Sequence, residues 1–265
     1  MTAASSAEAT AAPMPSGLLA GRLALVTGAG RGNGRAIARG LARAGARVVA
    51  TDLNGANADA TAALVRAEGG HAWAWPLDVT DAGACQALAA QVAQVCGAVD
   101  LLVSNAGIII RENSASPNAA ENWRRTLDVN LHGTFHITQA LRESLIATRG
   151  TIVNIASIAA FAGQGGSLGY SPSKAAIKLY TQSLAVELAP FGVRVNALAP
   201  GVISTPMTEV TRAHPERLAS FMTRIPMGRV GEADELVGPV VFLSSSLSSY
   251  VTGATLPVDG GFLAA

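Results

Sequence analysis

Arg22-Leu-Ala-Leu-Val26 runs straight into Thr27-Gly28-Ala29-Gly30-Arg31-Gly32-Asn33-Gly34, and the reading of this junction decides the fold. The first five residues are a short apolar run suited to a buried strand. Beyond the glycines, Ile37, Leu41 and several alanines recur at helical spacing. A glycine-rich turn between strand and helix lets backbone amides approach a pyrophosphate, whose charge the helix N-terminus favours. The spacing is G-x-x-x-G-x-G through Gly28, Gly32 and Gly34, not the commoner G-x-G-x-x-G. The plainer alternative is a tight turn with no ligand.

The next strand, Arg47 to Thr51, ends at Asp52, 24 residues after Gly28; a ribose-binding acid is expected about 20 residues on. A carboxylate there can accept both hydroxyls of an adenosine ribose. It would repel a 2′-phosphate by about 4 kcal/mol at roughly 4 Å and an effective dielectric of roughly 20, less where salt and water intervene. Arg31 works the other way, because a guanidinium in the loop partly neutralises a phosphate. The position of Asp52 favours NAD over NADP. Its plainer role is that of a strand-end turn former.

The same alternation continues along the chain. Helix is expected over 55–69, 81–96 and 119–148, and from Tyr170 to about Ala189. Strands are expected at His71 to Leu77, Asp100 to Ser104, Thr151 to Ala156, Gly192 to Leu198 and Ala254 to Val258. Strands alternating with helices predict an α/β fold: a Rossmann-type, doubly wound parallel sheet of seven strands with helices on both faces. In such sheets ligands bind beyond the carboxyl ends of the strands. Gly28, Asp52, Asp78, Asn105, Ser157 and Pro200 all fall just after expected strand ends.

Tyr170 and Lys174 stand four apart in Y-S-P-S-K, with Ser157 thirteen residues earlier. Four residues is about one helical turn, so phenol and ammonium share a face. A cation beside a phenol favours the phenolate. Bringing a tyrosine from about 10 to roughly 7 needs about 4 kcal/mol of such help. A group so tuned can exchange a proton with a carbonyl or alcohol oxygen.

The chain has 265 residues and no evident linker, which suits one domain over 17–265 with a sizeable core. A net charge of +1 gives no footprint for nucleic acid. Charged residues make up only 14% and mean hydropathy is positive, so part of the surface is expected to be buried again between subunits. Cys85 and Cys96 are too few for a disulfide framework and show no metal spacing. They imply a reducing, cytoplasmic setting. Residues 1–16, rich in Ala, Ser and Thr, lack the pattern of a secretion signal and read as a disordered tail. No apolar run reaches membrane-spanning length. His132 and His136 are four apart but lack a carboxylate or third ligand at metal-ligand spacing, so no metal is expected. The long connection 204–229 reads as a partly helical lid over the substrate, with a static packing helix as the alternative.

Taken together, the chain resembles the short-chain dehydrogenase/reductase family over roughly residues 18–263. The matching motifs are T-G-A-G-R-G-N-G (27–34), Asp78-Val79, S-N-A-G (104–107), Asn130 in L-D-V-N-L, Ser157, Tyr170-Ser-Pro-Ser-Lys174, P-G-V-I-S-T (200–205) and V-D-G-G (258–261). The resemblance implies a catalytic tetrad of Asn130, Ser157, Tyr170 and Lys174. Tyr170 would exchange the proton and Ser157 would orient the substrate oxygen. Lys174 would anchor the ribose and lower the Tyr170 pKa, and Asn130 would kink its helix and hold a water. NAD would be bound by Gly28, Arg31, Gly32, Asn33, Gly34, Asp52, Leu53, Asp78, Val79, Asn105, Ala106, Gly107, Tyr170, Lys174, Pro200, Gly201, Ile203 and Thr205. Ser157, Gln164 and Tyr170 would face the substrate, and Arg111 lies near the same pocket. A homotetramer is implied, with the helices near 119–148 and 169–189 at one interface and the C-terminal strand at another. Two positions depart from the usual pattern: Asn33 replaces an isoleucine, and Ser104 an asparagine.

The reaction expected is reversible hydride transfer between NAD and a secondary alcohol, such as a polyol, sugar or hydroxy compound. Three alternatives stay open. One is a 3-oxoacyl thioester reductase of the same family. Another is a hydrolase using Ser167, which sits in G-G-S-L-G. The third is a nucleotide-binding scaffold without catalysis.

Overall fold

The structure, a computed structural model, describes residues 17–265; the expected N-terminal tail lies outside them. Six strands and six helices succeed one another from the glycine loop onward. They are β1 (Leu23–Val26), α1 (Gly32–Arg43), β2 (Arg47–Asp52), α2 (Gly55–Ala67), β3 (Ala72–Pro76), α3 (Ala82–Val95), β4 (Leu101–Ser104), α4 (Ala119–Leu127), α5 (Gly133–Ala147), β5 (Thr151–Ile155), α6 (Tyr170–Leu188) and β6 (Arg194–Pro200). A two-residue strand β7 (Ile203–Ser204) follows, then α7 (Glu209–Arg212) and α8 (Pro215–Met222). The remaining elements are β8 (Gly231–Glu232), α9 (Val237–Ser244) and β9 (Thr255–Val258).

Seven strands form one parallel sheet in the order β3-β2-β1-β4-β5-β6-β9, and β7 pairs with β8 apart from it. Why both faces are covered is visible in the strand residues. Ala24 and Val26 of β1 pack into one apolar cluster with α1, α2 and α9. Leu23 and Leu25 point into the other, with α3, α5 and α6. The period of two divides β2 and β4 in the same way, so their central residues, Val48 to Ala50 and Leu101 to Val103, are apolar on both faces. The strand order reverses between β1 and β4, which opens a crevice at their carboxyl ends.

Three features differ from the sequence expectation. The single helix over 119–148 is broken by a π-helical turn, Asp128–His132, around Asn130. The sixth strand starts two residues later, at Arg194, because Gly192 (φ 78°) ends the preceding turn in the left-handed conformation. Helix α9, with no acid or base in V-G-P-V-V-F-L-S, has apolar residues all round and gives no amphipathic signal. The 204–229 connection is partly helical, through α7 and α8.

Candidate active site

A cleft of about 1170 Å³ lies along the carboxyl ends of the first four strands. Gly28, Arg31, Gly32, Asn33, Gly34, Asp52, Leu53, Asp78, Val79, Asn105, Ala106, Gly107 and Thr205 line it. Pro200, Gly201, Ile203, Tyr170 and Lys174 do not. Pro200 ends β6, the Gly201 N–H is spent on Val258 O (2.9 Å), and Ile203 is buried against Gly231.

The loop fits a pyrophosphate. Helix α1 has no acid in its first turn and no side-chain cap at Arg31, so its leading amides face the cleft without an anion. Asn33 Oδ1 is covered and lacks a partner. A Cβ on Gly34 would overlap Gly28 O and sit 2.5 Å from Asn105 Nδ2; only glycine lets the helix start so close to the loop. Asn105 Nδ2 donates to Thr27 O (2.9 Å) and Gly28 O (3.0 Å). Thr27 Oγ1 in turn accepts the Asn105 and Ala106 N–H groups, both at 3.0 Å. β4 therefore holds the loop in place.

Asp52 Oδ2 accepts Gly30 N (2.9 Å), and Oδ1 accepts Asn54 N (3.0 Å). The carboxylate is thereby fixed at the cleft edge with lone pairs to spare. Arg31 is exposed on the same cleft. A second guanidinium that sequence reasoning missed, Arg35, braces the loop from behind through Gly30 O and Thr61 Oγ1. Asp78 Oδ1 accepts from Thr80 N (2.9 Å) and Thr80 Oγ1 (2.7 Å).

At the inner end of the cleft the four expected tetrad residues gather. A Cβ on Gly107 would lie 3.2 Å from Asn130 Oδ1 and 3.5 Å from Lys174 Nζ, so the cleft reaches the tetrad through this glycine. Asn130 is fully buried. Its Oδ1 accepts Ile108 N (2.7 Å), and its Nδ2 donates to Ile108 O (3.0 Å) and Ser173 Oγ (2.9 Å). The wide turn around Asn130 is the helix irregularity the resemblance implied. Its side chain, however, spends its bonds on the Ile108 backbone and Ser173. Ser173 Oγ donates onward to Tyr170 O (2.7 Å), a partner concealed inside Y-S-P-S-K.

Lys174, only 5% exposed, donates from Nζ to Ile155 O (2.7 Å). Burial lowers its pKa to about 8. Ser157 caps a short 3-10 turn, accepting Ala159 N at 3.1 Å. For Tyr170 the sequence expectation needs correction. Burial raises its pKa above the ordinary phenol value, while a hydrogen bond with Ser157 and the charge of Arg111 oppose the rise. Lys174 Nζ lies 5.9 Å from the ring centroid.

Gln164 is half-buried in the loop before α6, where its N–H donates to Ser171 Oγ (3.0 Å). Arg111 donates from Nη2 to Thr211 Oγ1 (2.8 Å) on α7. His214 is exposed and precedes α8 as its N-cap. His132 Nδ1 lies 3.0 Å from Asp128 Oδ1, a carboxylate one turn earlier that the sequence reading passed over. His136 Nδ1 lies 3.1 Å from Val79 O. Ser167 is 2% exposed and follows a turn, not a strand, so the nucleophile-elbow geometry is missing.

A family model described as enoyl-(acyl carrier protein) reductase matches residues 28–263. The chain belongs to the short-chain dehydrogenase/reductase family. It is 43% identical to 2-dehydro-3-deoxy-D-gluconate 5-dehydrogenase of Bacillus subtilis, over 92% of this chain and 96% of that one. It is 38% identical to the 3-oxoacyl-[acyl-carrier-protein] reductase FabG of Thermotoga maritima, over 92% and 99%. Among solved structures, gluconate 5-dehydrogenase from Burkholderia cenocepacia, in complex with NADP and tartrate, superposes with a TM-score of 0.89. Its identity is 36%, over 93% of this chain and 97% of that one. This short-chain dehydrogenase is thus a nicotinamide-dependent oxidoreductase of the secondary alcohol–ketone couple. Among the described residues no helix is long and apolar enough to cross a membrane.

Proposed function

We propose that the protein is an NAD-dependent dehydrogenase of polar hydroxy compounds, namely polyols, sugars or sugar acids. The observation that carries this reading is the meeting of the cleft with the Asn130, Ser157, Tyr170 and Lys174 cluster at Gly107. The names of the sugar-acid relatives point the same way. When bound, the nicotinamide exchanges a hydride with the substrate carbon and, oxidised, brings a positive charge to the site. Tyr170 exchanges the proton with the substrate oxygen. Ser157, whose hydroxyl bears on the phenol, orients that oxygen. Buried Lys174 offers its remaining N–H groups to the ribose hydroxyls. Asn130 fixes Ile108 and, through Ser173, the first turn of α6.

Asp52 supports NAD as the preferred cofactor, because its fixed carboxylate meets a 2′-phosphate with like charge. Exposed Arg31 sets the limit of that preference. A homotetramer is supported by apolar side chains left exposed on α5 and α6, Phe135, Leu179 and Val186, and by Leu247 and Tyr250 before β9. Buried, unpaired Cys85 and Cys96 suit a reducing cytoplasm. Residues 17–265 act as one catalytic domain, with 204–229 as its lid.

The test is an absorbance assay at the NADH band with polyols, sugar acids and acetoacetyl-CoA, each with NAD(H) and NADP(H). Higher kcat/KM with NADP(H) would overturn the cofactor preference. Acetoacetyl-CoA as the best substrate would replace this reading with the thioester reductase that the FabG relatives suggest. Light scattering that returned a monomer would remove the tetramer.

A further inference from the structure

Arg111, whose charge bears on Tyr170, has no counter-charge among the described residues. Arg111 lies in the segment leaving β4, and its backbone neighbours are pinned on both sides. Ile108 is held at N and O by Asn130. Glu112 N donates to Gly166 O (2.9 Å), Glu112 forms a β-bridge with Ser167, and Glu112 Oε2 accepts Asn122 Nδ2 (2.9 Å). Gly166 and Ser167 stand just ahead of Tyr170, so this pairing sets Arg111 against the approach to the phenol. Its Nη2 bond to Thr211 Oγ1 (2.8 Å), a hydroxyl 5% exposed, ties it to α7. Arg217, on α8, is near enough that the two positive charges oppose each other.

Among the described residues neither guanidinium forms an ion pair. The segment's own acid, Glu112, is engaged by Asn122 instead. Both residues are exposed, so their guanidiniums stay hydrated, open to an arriving anion and not offset by any acid in contact. One of the five Arg111 N–H donors is used by Thr211. The rest include an edge for a carboxylate, which a guanidinium grips with two parallel bonds.

We propose that Arg111, assisted by Arg217, binds the carboxylate of the substrate. The dehydrogenase therefore acts on hydroxy acids whose carboxylate is separate from the reacting hydroxyl, in preference to neutral polyols. This rests on the hydride-transfer reading above and narrows it. Arg111 joins the β4 end of the site to α7, so a carboxylate seated there also draws α7 and α8 toward Tyr170.

The test compares C4 to C6 aldonates with alditols of the same length, with NAD and NADP. In the unaltered enzyme the best aldonate exceeds its matched alditol in kcat/KM by about 100-fold, the scale of a bidentate charge-assisted pair. Arg111→Met reduces that preference at least about tenfold, chiefly through KM, and Arg111→Lys restores part of it. Arg217→Gln reduces it by roughly threefold. Raising salt weakens the aldonate KM and leaves the alditol KM unmoved. Dinucleotide binding, followed by quenching of tryptophan fluorescence, shows that each variant is folded. Alditols used as well as aldonates, or an acid preference that folded Arg111→Met retains, overturns the carboxylate site and leaves the dehydrogenase standing. Turnover of neither class overturns both.

Discussion

Around the glycine loop, main chain lies against main chain. A Cβ at Gly34 would overlap the carbonyl of Gly28, and Asn105 fastens the same loop to β4. In the loop that leads into α6, Gly163 and Gly165 have nothing within 4 Å of where a Cβ would stand. There the wall comes from three separate segments, Ile108 to Glu112, Ser157 to Tyr170, and α7 with α8, joined by one backbone bridge and a few side-chain bonds. The nucleotide end is thus fixed by close backbone packing and tolerates little change. The substrate end is fixed by a few long-range contacts and leaves room for specificity to vary. Such a division lets one fold serve many hydroxyl compounds.

The largest effect that could break this contrast is at Tyr170. Tyr170→Phe should lower kcat by about 10³-fold or more while the dinucleotide still binds. Loss of binding with turnover would place the phenol in the nucleotide end instead.

Lys174 stands at the junction, and its variant should separate function from stability. The folded pKa, about 8, lies below the 10.5 of a lysine in the unfolded chain. Charged Lys174 therefore costs stability below pH 8, by about 3 kcal/mol as a ceiling. That cost fades as pH climbs from 8 toward 10.5, where the unfolded chain binds the extra proton. Lys174→Met should abolish most turnover yet gain about 1 to 2 kcal/mol at pH 7, less than the ceiling because Ile155 O loses its donor. Thermal melts of both proteins at pH 7 and pH 10 check this: the advantage should be present at the first and gone at the second.

Glycine replacements sharpen the comparison directly. Gly34→Ala should weaken dinucleotide binding at least about tenfold and destabilise the fold by roughly 1 to 3 kcal/mol, because the new methyl overlaps backbone that cannot yield. Gly165→Ala should shift stability by less than about 0.5 kcal/mol and leave dinucleotide affinity unchanged. Titration calorimetry and melts on the pair measure both. Equal costs at the two glycines would erase the distinction between the two ends.

Much of the nucleotide end was legible in the residues. Gly28, Asp52, Asp78 and Asn105 follow strands, and the apolar runs of β1, β2 and β4 mark those strands without ambiguity. The break at Asn130 could not be read from helical spacing, because a π turn adds one residue per turn without changing which residue types are used. Helix α9 escaped because it lacks a polar face. The phenol was misjudged for a different reason. Four-residue spacing puts Lys174 on the Tyr170 side of α6, but it says nothing about how deeply both groups are buried. Burial raises the phenol pKa, and Arg111, 59 positions earlier in the chain, supplies a charge that opposes it.

The glycine junction and the alternation of apolar runs with helical spacing were enough to set the doubly wound sheet and to expect a dinucleotide cleft, since each depends on local periodicity or on a turn only a few residues long; the grouping of Asn130, Ser157, Tyr170 and Lys174 came from the family resemblance. Only tertiary structure decided which charges bear on the phenol, which hydroxyl steadies Asn130, and that Arg111 stands near the phenol without an acidic partner among the described residues. Those facts depend on distance and desolvation between segments tens of residues apart, quantities that no local pattern in a chain records.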